Sequence, residues 1–167
     1  MKTLLLARHA KSDWNSPTAN DFDRPLNQRG QQDAPLMASY LKQCGYSVGQ
    51  IISSDALRAL QTAEHYRQCL KPIHDLISYH DLYLASLQAI VTLVQHIAPA
   101  ENTVMLVGHN PGMSEALNYF STETVNDMPT CSVGIVQFDV VRWQDAAQSS
   151  GVLLGFEYPK RVKSREM

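Results

Sequence analysis

The chain alternates between short, almost unbroken apolar runs and longer stretches in which apolar residues recur every three or four positions. Residues 3–7 (TLLLA) and 103–107 (TVMLV) have the pattern of strands buried on both faces, not of strands with one wet face. Residues 48–53 read as a further strand and 73–78 as a short one. Four helical stripes lie between and after them: Ala34, Met37 and Leu41; Ala56, Ala59, Leu60, Ala63 and Tyr66; Leu87, Ile90, Val91, Val94 and Ile97; Met113, Ala116, Leu117 and Phe120. Gly45, Pro72 and Pro99 close the first three, and Pro111 opens the fourth. Pro35 is expected in the first turn of its helix, where a missing N–H costs little. Asp55 is expected to cap the second helix. Val136, Phe138 and Val140 alternate with polar residues, and residues 152–156 return after a polar turn, as in a hairpin. Residues 10–30, with Pro17, Pro25 and Gly30, read as a long loop. Strands alternating with helices predict a three-layer α/β/α sandwich around a mostly parallel sheet, with a C-terminal hairpin and one domain over residues 1–167.

The two most apolar runs share an oddity at their carboxyl ends. The first stops on Arg8 and His9, the second on His109. In open α/β sheets, ligands bind beyond the carboxyl ends of the strands. Arg58, in the first turn of the helix after the second strand, reaches the same rim. Two arginines and two histidines around one point suit a doubly charged tetrahedral anion, because the guanidinium fork matches phosphate oxygens. Ser12 and Asn15, in the adjoining loop, offer neutral donors. A site that only bound phosphate would not need a histidine at its floor, and a neutral imidazole is also a nucleophile. The plainer reading of Arg8 and His9 is a surface pair. His65, His74, His80 and His96 read as structural or exposed, with His80, beside Asp81, the one that borders the site.

Composition narrows the classes. With 14 Lys and Arg against 16 Asp and Glu, the formal net charge is −2, which gives no overall basic field for nucleic acid. The basic run at residues 160–165 reads as a solvated tail. Cys44, Cys69 and Cys131 are odd in number and form no CxxC pair, which argues against a disulfide framework or a zinc site and for a reducing compartment. The first apolar run is too short for a secretion signal, and no stretch reaches the roughly 18 apolar residues of a membrane span. The expectation is a cytoplasmic protein with no membrane contact.

Four segments together resemble the histidine phosphatase superfamily, also called phosphoglycerate mutase-like. RHAKSDWN is similar to its RHGxSxWN signature, DFDRPLNQRG to its DxPLTxxG segment, SSDALRALQTAE to its SxxxRAxxTA helix, and VGHNPG to its second histidine motif. The order is the family's, over residues 4–112. Short length and the HNPG ending resemble the compact SixA-type branch, the phosphohistidine phosphatases. The resemblance implies a phosphatase without metal or cofactor, with His9 as nucleophile and Arg8, Arg58 and His109 holding the phosphoryl group. Ser12, Asn15 and Arg24 follow as further phosphate or substrate contacts. It implies a phosphorylated protein as partner, or a small phosphorylated molecule such as a sugar or nucleotide phosphate; the alternative from another class is a non-catalytic phosphate-binding module. Two departures stand out. Ala10 replaces the glycine usual after RH. Asp81 is the nearest match to the glutamate acid of the mutase branch, though the residue also suits a helix cap.

Overall fold

The computed structural model describes residues 1–17 and 20–166. Six strands, β1 (Lys2–Arg8), β2 (Gln50–Ser54), β3 (Ile77–Tyr79), β4 (Thr103–Gly108), β5 (Val133–Phe138) and β6 (Gly151–Glu157), form one sheet in the order β3-β2-β4-β1-β5-β6. The β1–β4, β4–β2 and β2–β3 pairs are parallel; β5 runs antiparallel to β1 and to β6. The hairpin therefore lies at one edge of a mostly parallel sheet, as expected. Helices α1 (Gln28–Gln43), α2 (Leu57–Leu70) and α5 (Pro159–Arg165) cover one face, and α3 (Leu87–Gln95) and α4 (Gly112–Phe120) the other.

The unbroken apolar runs are explained by this layering. Leu4 and Leu6 of β1 pack with Ile90, Val94, Leu117 and Phe120 on one side, while Leu5 and Ala7 pack with Met37, Leu41, Ala59 and Tyr66 on the other. A central strand between two helical layers has no wet face, so it cannot alternate.

Three local expectations are corrected. The polar segment around Arg29 continues into α1, which starts at Gln28 after Asn27 caps the Gly30 N–H, so Pro35 lies inside the helix. It is tolerated because it sits on the exposed face, where the carbonyl it leaves unbonded meets water. Asp55 does not cap α2; Ala56 holds that position, and the Asp55 carboxylate pairs with His80 at 3.0 Å. The basic run at the end is not a loose tail. It forms α5, with Val162 fully buried and Lys163 bonded to the buried Asp33 at 2.7 Å. Among the described residues, no helix is long and apolar enough to cross a membrane.

Candidate active site

Strand register brings the two histidines together. Arg8 of β1 pairs with Gly108 of β4, so the next residues of the two strands, His9 and His109, emerge side by side with ring centroids 5.1 Å apart. The His9 N–H donates to the Gly108 carbonyl, and the His9 carbonyl accepts from the Cys131 N–H. Ala10 follows with an ordinary negative φ, so alanine replaces the usual glycine without strain. Its N–H donates to Thr62 Oγ1 at 2.9 Å, and that hydroxyl donates to the Arg58 carbonyl at 2.7 Å. The histidine loop is thereby tied to the first turns of α2. Gly30 serves the same loop: a Cβ there would collide with the Lys11 carbonyl.

The bonds set both imidazole tautomers. His9 Nδ1–H donates to the Ala10 carbonyl at 2.7 Å, leaving Nε2 as the acceptor that faces Arg58 Nε at 3.4 Å. Arg58 Nη2 lies 3.3 Å from His109 Nδ1; since a guanidinium can only donate, His109 carries its proton on Nε2 and gives it to Ser54 Oγ at 2.8 Å. Arg58 therefore stands between the two rings, itself 2% exposed. Burial, together with the neighbouring cations, pushes His9 down to about 3 and His109 to about 4. Both rings are neutral near pH 7. Arg8 donates through Nη1 to the Met128 carbonyl at 2.7 Å, and its buried Nε–H has no partner among the described residues.

The loop between β1 and α1 supplies the other wall. Arg24 donates to Ser12 Oγ at 2.6 Å and lies 3.7 Å beneath the exposed Trp14 ring. Its Nε and Nη2 also hold Asp21 Oδ1, at 3.0 and 2.7 Å. Asp21 Oδ2 accepts from Arg58 Nη2 at 2.9 Å and from the Tyr83 hydroxyl at 2.6 Å. Burial alone would raise the Asp21 carboxyl, but the bonds from Tyr83, Arg24 and Arg58 hold it well below the usual carboxylate range. The Tyr83 ring meets His109 edge to face at 5.5 Å, and Phe22 and His80 extend this aromatic rim.

Of the eight residues singled out from the sequence, the structure gathers Arg8, His9, Ser12, Arg24, Arg58 and His109. Asn15 is exposed in its loop, its backbone N–H bonded to Asp13 Oδ1 at 2.8 Å. Asp81 is corrected. The 3-10 turn at His80–Leu82 leaves it exposed and lining a groove with His74, Ile77, Leu93 and Ile97, whereas its neighbours His80 and Tyr83 face the site. Sequence reasoning missed Asp21, Ser54 and Tyr83.

The neutral buried rings make stability depend on pH. Unfolded imidazoles protonate near 6.5, but the folded ones do so only near 3 and 4, so between these values the unfolded state binds more protons. Stability therefore falls as pH drops below about 6.5, each ring contributing a slope of about 1.4 kcal/mol per pH unit. The melting temperature of His9→Asn should fall less steeply between pH 6 and pH 4 than that of the parent. Equal slopes would mean that His9 is charged in the folded protein.

Comparisons with known proteins agree with the geometry. The sequence profile of the histidine phosphatase superfamily (branch 1) matches residues 4–82. An uncharacterized chloroplastic protein of Arabidopsis thaliana is 29% identical over 161 residues, 90% of this chain and 72% of the relative. A crystal structure from Agrobacterium tumefaciens, assigned as the phosphohistidine phosphatase SixA, superposes with a TM-score of 0.80 at 27% identity, covering 95% of this chain and 98% of that one. The protein histidine phosphatase SixA complexed with tungstate gives 0.83 at 21% identity, covering 96% and 99%, a likeness of fold. The chain belongs to the histidine phosphatase superfamily, on its SixA-type side, and is a phosphatase.

Proposed function

We propose that the protein, one histidine phosphatase domain over residues 1–167, removes phosphoryl groups through a phosphohistidine intermediate on His9. In this reading it needs no metal and acts on phosphohistidine carried by another protein. The observation that carries this is the neutral, buried His9. Its Nδ1–H is spent on the Ala10 carbonyl, so the nucleophile is the Nε2 lone pair, held only by a long 3.4 Å bond from Arg58 Nε. His9 Nε2 forms a bond to phosphorus as the bond to the substrate's leaving atom breaks. Water then attacks phosphorus, Nε2 leaves, and inorganic phosphate is released. Arg8, Arg58 and His109 face the charge that spreads over the equatorial oxygens. Arg24 and Ser12 form the outer wall, and the unpartnered Arg8 Nε–H is a donor that an anion would satisfy. As the doubly charged group enters, the His109 Nδ1 lone pair takes up a proton from solvent, which turns it into a donor.

Substrate choice follows from the acid. An alkoxide must be protonated as it leaves. Asp81 is exposed along the groove beside His74 and Leu93, and Asp21 is held ionised by Tyr83, Arg24 and Arg58. A phosphorylated imidazole makes less demand, since it leaves as a neutral ring once its other nitrogen is protonated. The unpaired thiols of Cys44, Cys69 and Cys131 support a cytoplasmic setting. A divalent cation between the two imidazoles would face the Arg58 guanidinium, which touches both rings.

The test is turnover on a panel of phosphohistidine proteins, sugar and nucleotide phosphates and p-nitrophenyl phosphate, with and without EDTA. The highest kcat/KM is expected on a phosphohistidine protein, unchanged by the chelator. Better turnover of one small phosphoester would overturn the substrate while leaving His9 as nucleophile. Activity lost to EDTA and restored by zinc or manganese would overturn the metal-free mechanism.

A further inference from the structure

Both oxygens of the Asp21 carboxylate are saturated by groups that a phosphoryl group would use. Oδ1 takes two bonds from Arg24; Oδ2 takes one from Arg58 and one from Tyr83. The Asp21 carbonyl takes a further bond from Arg58, through Nη1, at 2.7 Å. Four of the five Arg58 N–H groups are engaged, one of Nη1 with the Asp21 carbonyl, that of Nε with His9, and the two of Nη2 with His109 and Asp21. It has no free fork to offer a ligand unless Asp21 withdraws. The guanidinium side chain is 3% exposed and fixed, whereas the Asp21 side chain is 42% exposed, on a loop at the mouth. The movable partner of this pair is therefore the carboxylate.

We propose that Asp21 is an internal competitor for the phosphoryl group. In the empty site it occupies Arg24 and Arg58, keeps their forks ordered, and prevents two buried guanidinium groups from facing each other unscreened. A doubly charged oxyanion displaces it, because two negative charges gain more from the same cations than one does. A singly charged anion merely exchanges one carboxylate-like contact for another, so the arrangement selects dianions. The Tyr83 hydroxyl, bonded to Oδ2, holds the competitor in place. The proposal rests on the reading of this pocket as a phosphoryl site.

Tungstate binding, measured by calorimetry on folded protein, tests it without turnover. Asp21→Asn removes the competing charge and should tighten tungstate binding. Tyr83→Phe changes no charge but removes one bond that retains Asp21. It should also tighten binding, by about threefold or more, since hydrogen bonds to charged groups carry that much free energy. Weaker or unchanged binding by Asp21→Asn would make Asp21 a brace for the arginines and overturn the proposal. Tighter binding by Asp21→Asn alone would reduce its effect to charge repulsion with Asp21 in place, which also overturns displacement. No tungstate binding by the folded parent would overturn the phosphoryl site itself, and this proposal with it.

Discussion

Replacing His9 with alanine is expected to lower turnover by a factor on the order of 10⁴ to 10⁶, the range seen when a covalent nucleophile is lost. The expectation follows from how narrowly the ring is held. Its Nδ1–H is bonded to the Ala10 carbonyl, and its backbone is clamped by Gly108 on one side and Cys131 on the other. Only Nε2 is left to react. Cys131, on the loop against His9, is no rival nucleophile, being buried and pushed up to about 12, and labelling distinguishes His9 from His109, whose Nε2–H is bonded to Ser54. A quench with labelled substrate should trap phosphate that is labile in acid and stable in alkali, and peptide mapping should place it on His9. His9→Ala should give no such label while still binding tungstate, since the arginines remain. Normal turnover by the variant, or label on another residue, would sink the nucleophile assignment.

Much of this site was legible because strand ends are fixed by burial. Continuous apolar runs had to be central strands, and central strands in an α/β sheet deliver their next residues to the ligand-binding rim. His9, His109 and Arg58 follow from that alone. The register that sets the two rings 5.1 Å apart is a tertiary fact and could not be read. Asp21 was missed because DFDRPL holds two aspartates, and only the folded loop distinguishes the one that meets Arg58 from Asp23. Ser54 left a fainter signal, the second of two buried serines at the carboxyl end of its strand. Tyr83 was missed because of direction: a 3-10 turn sends successive side chains about a third of a turn apart, so Tyr83 meets His109 while Asp81 is exposed along the groove. Helix α5 was read as a tail because KRVKSR has one apolar residue. Its signals were Pro159 at the helix start and Val162; its partner, the buried Asp33, lies far away in sequence.

Arg58 should show the second largest effect. Among the described residues, its guanidinium touches both histidine rings and Asp21 at once. Removing a preorganised donor that faces developing charge costs on the order of 10² to 10³ in rate, and Arg58→Ala is expected to fall in that range in kcat/KM. Charge alone is not sufficient. Arg58→Lys keeps a cation but offers a single point in place of a planar fork, so it cannot address His9, His109 and the phosphoryl oxygens together, and it should recover only a small part of the loss. A second consequence concerns protonation. Arg58 is one of the cations that hold His9 and His109 low, alongside burial. Without it, both rings should titrate at higher pH, and the acid limb of the rate profile should move upward. That shift separates a role at the reacting group from a merely structural one. Folding is checked by circular dichroism and by the melting temperature, because the change also leaves the Asp21 carboxylate with Arg24 and Tyr83 only. A folded Arg58→Ala protein with the parent's pH profile, and with kcat/KM within about threefold of it, a change too small for a lost oxyanion donor, would remove Arg58 from the reaction.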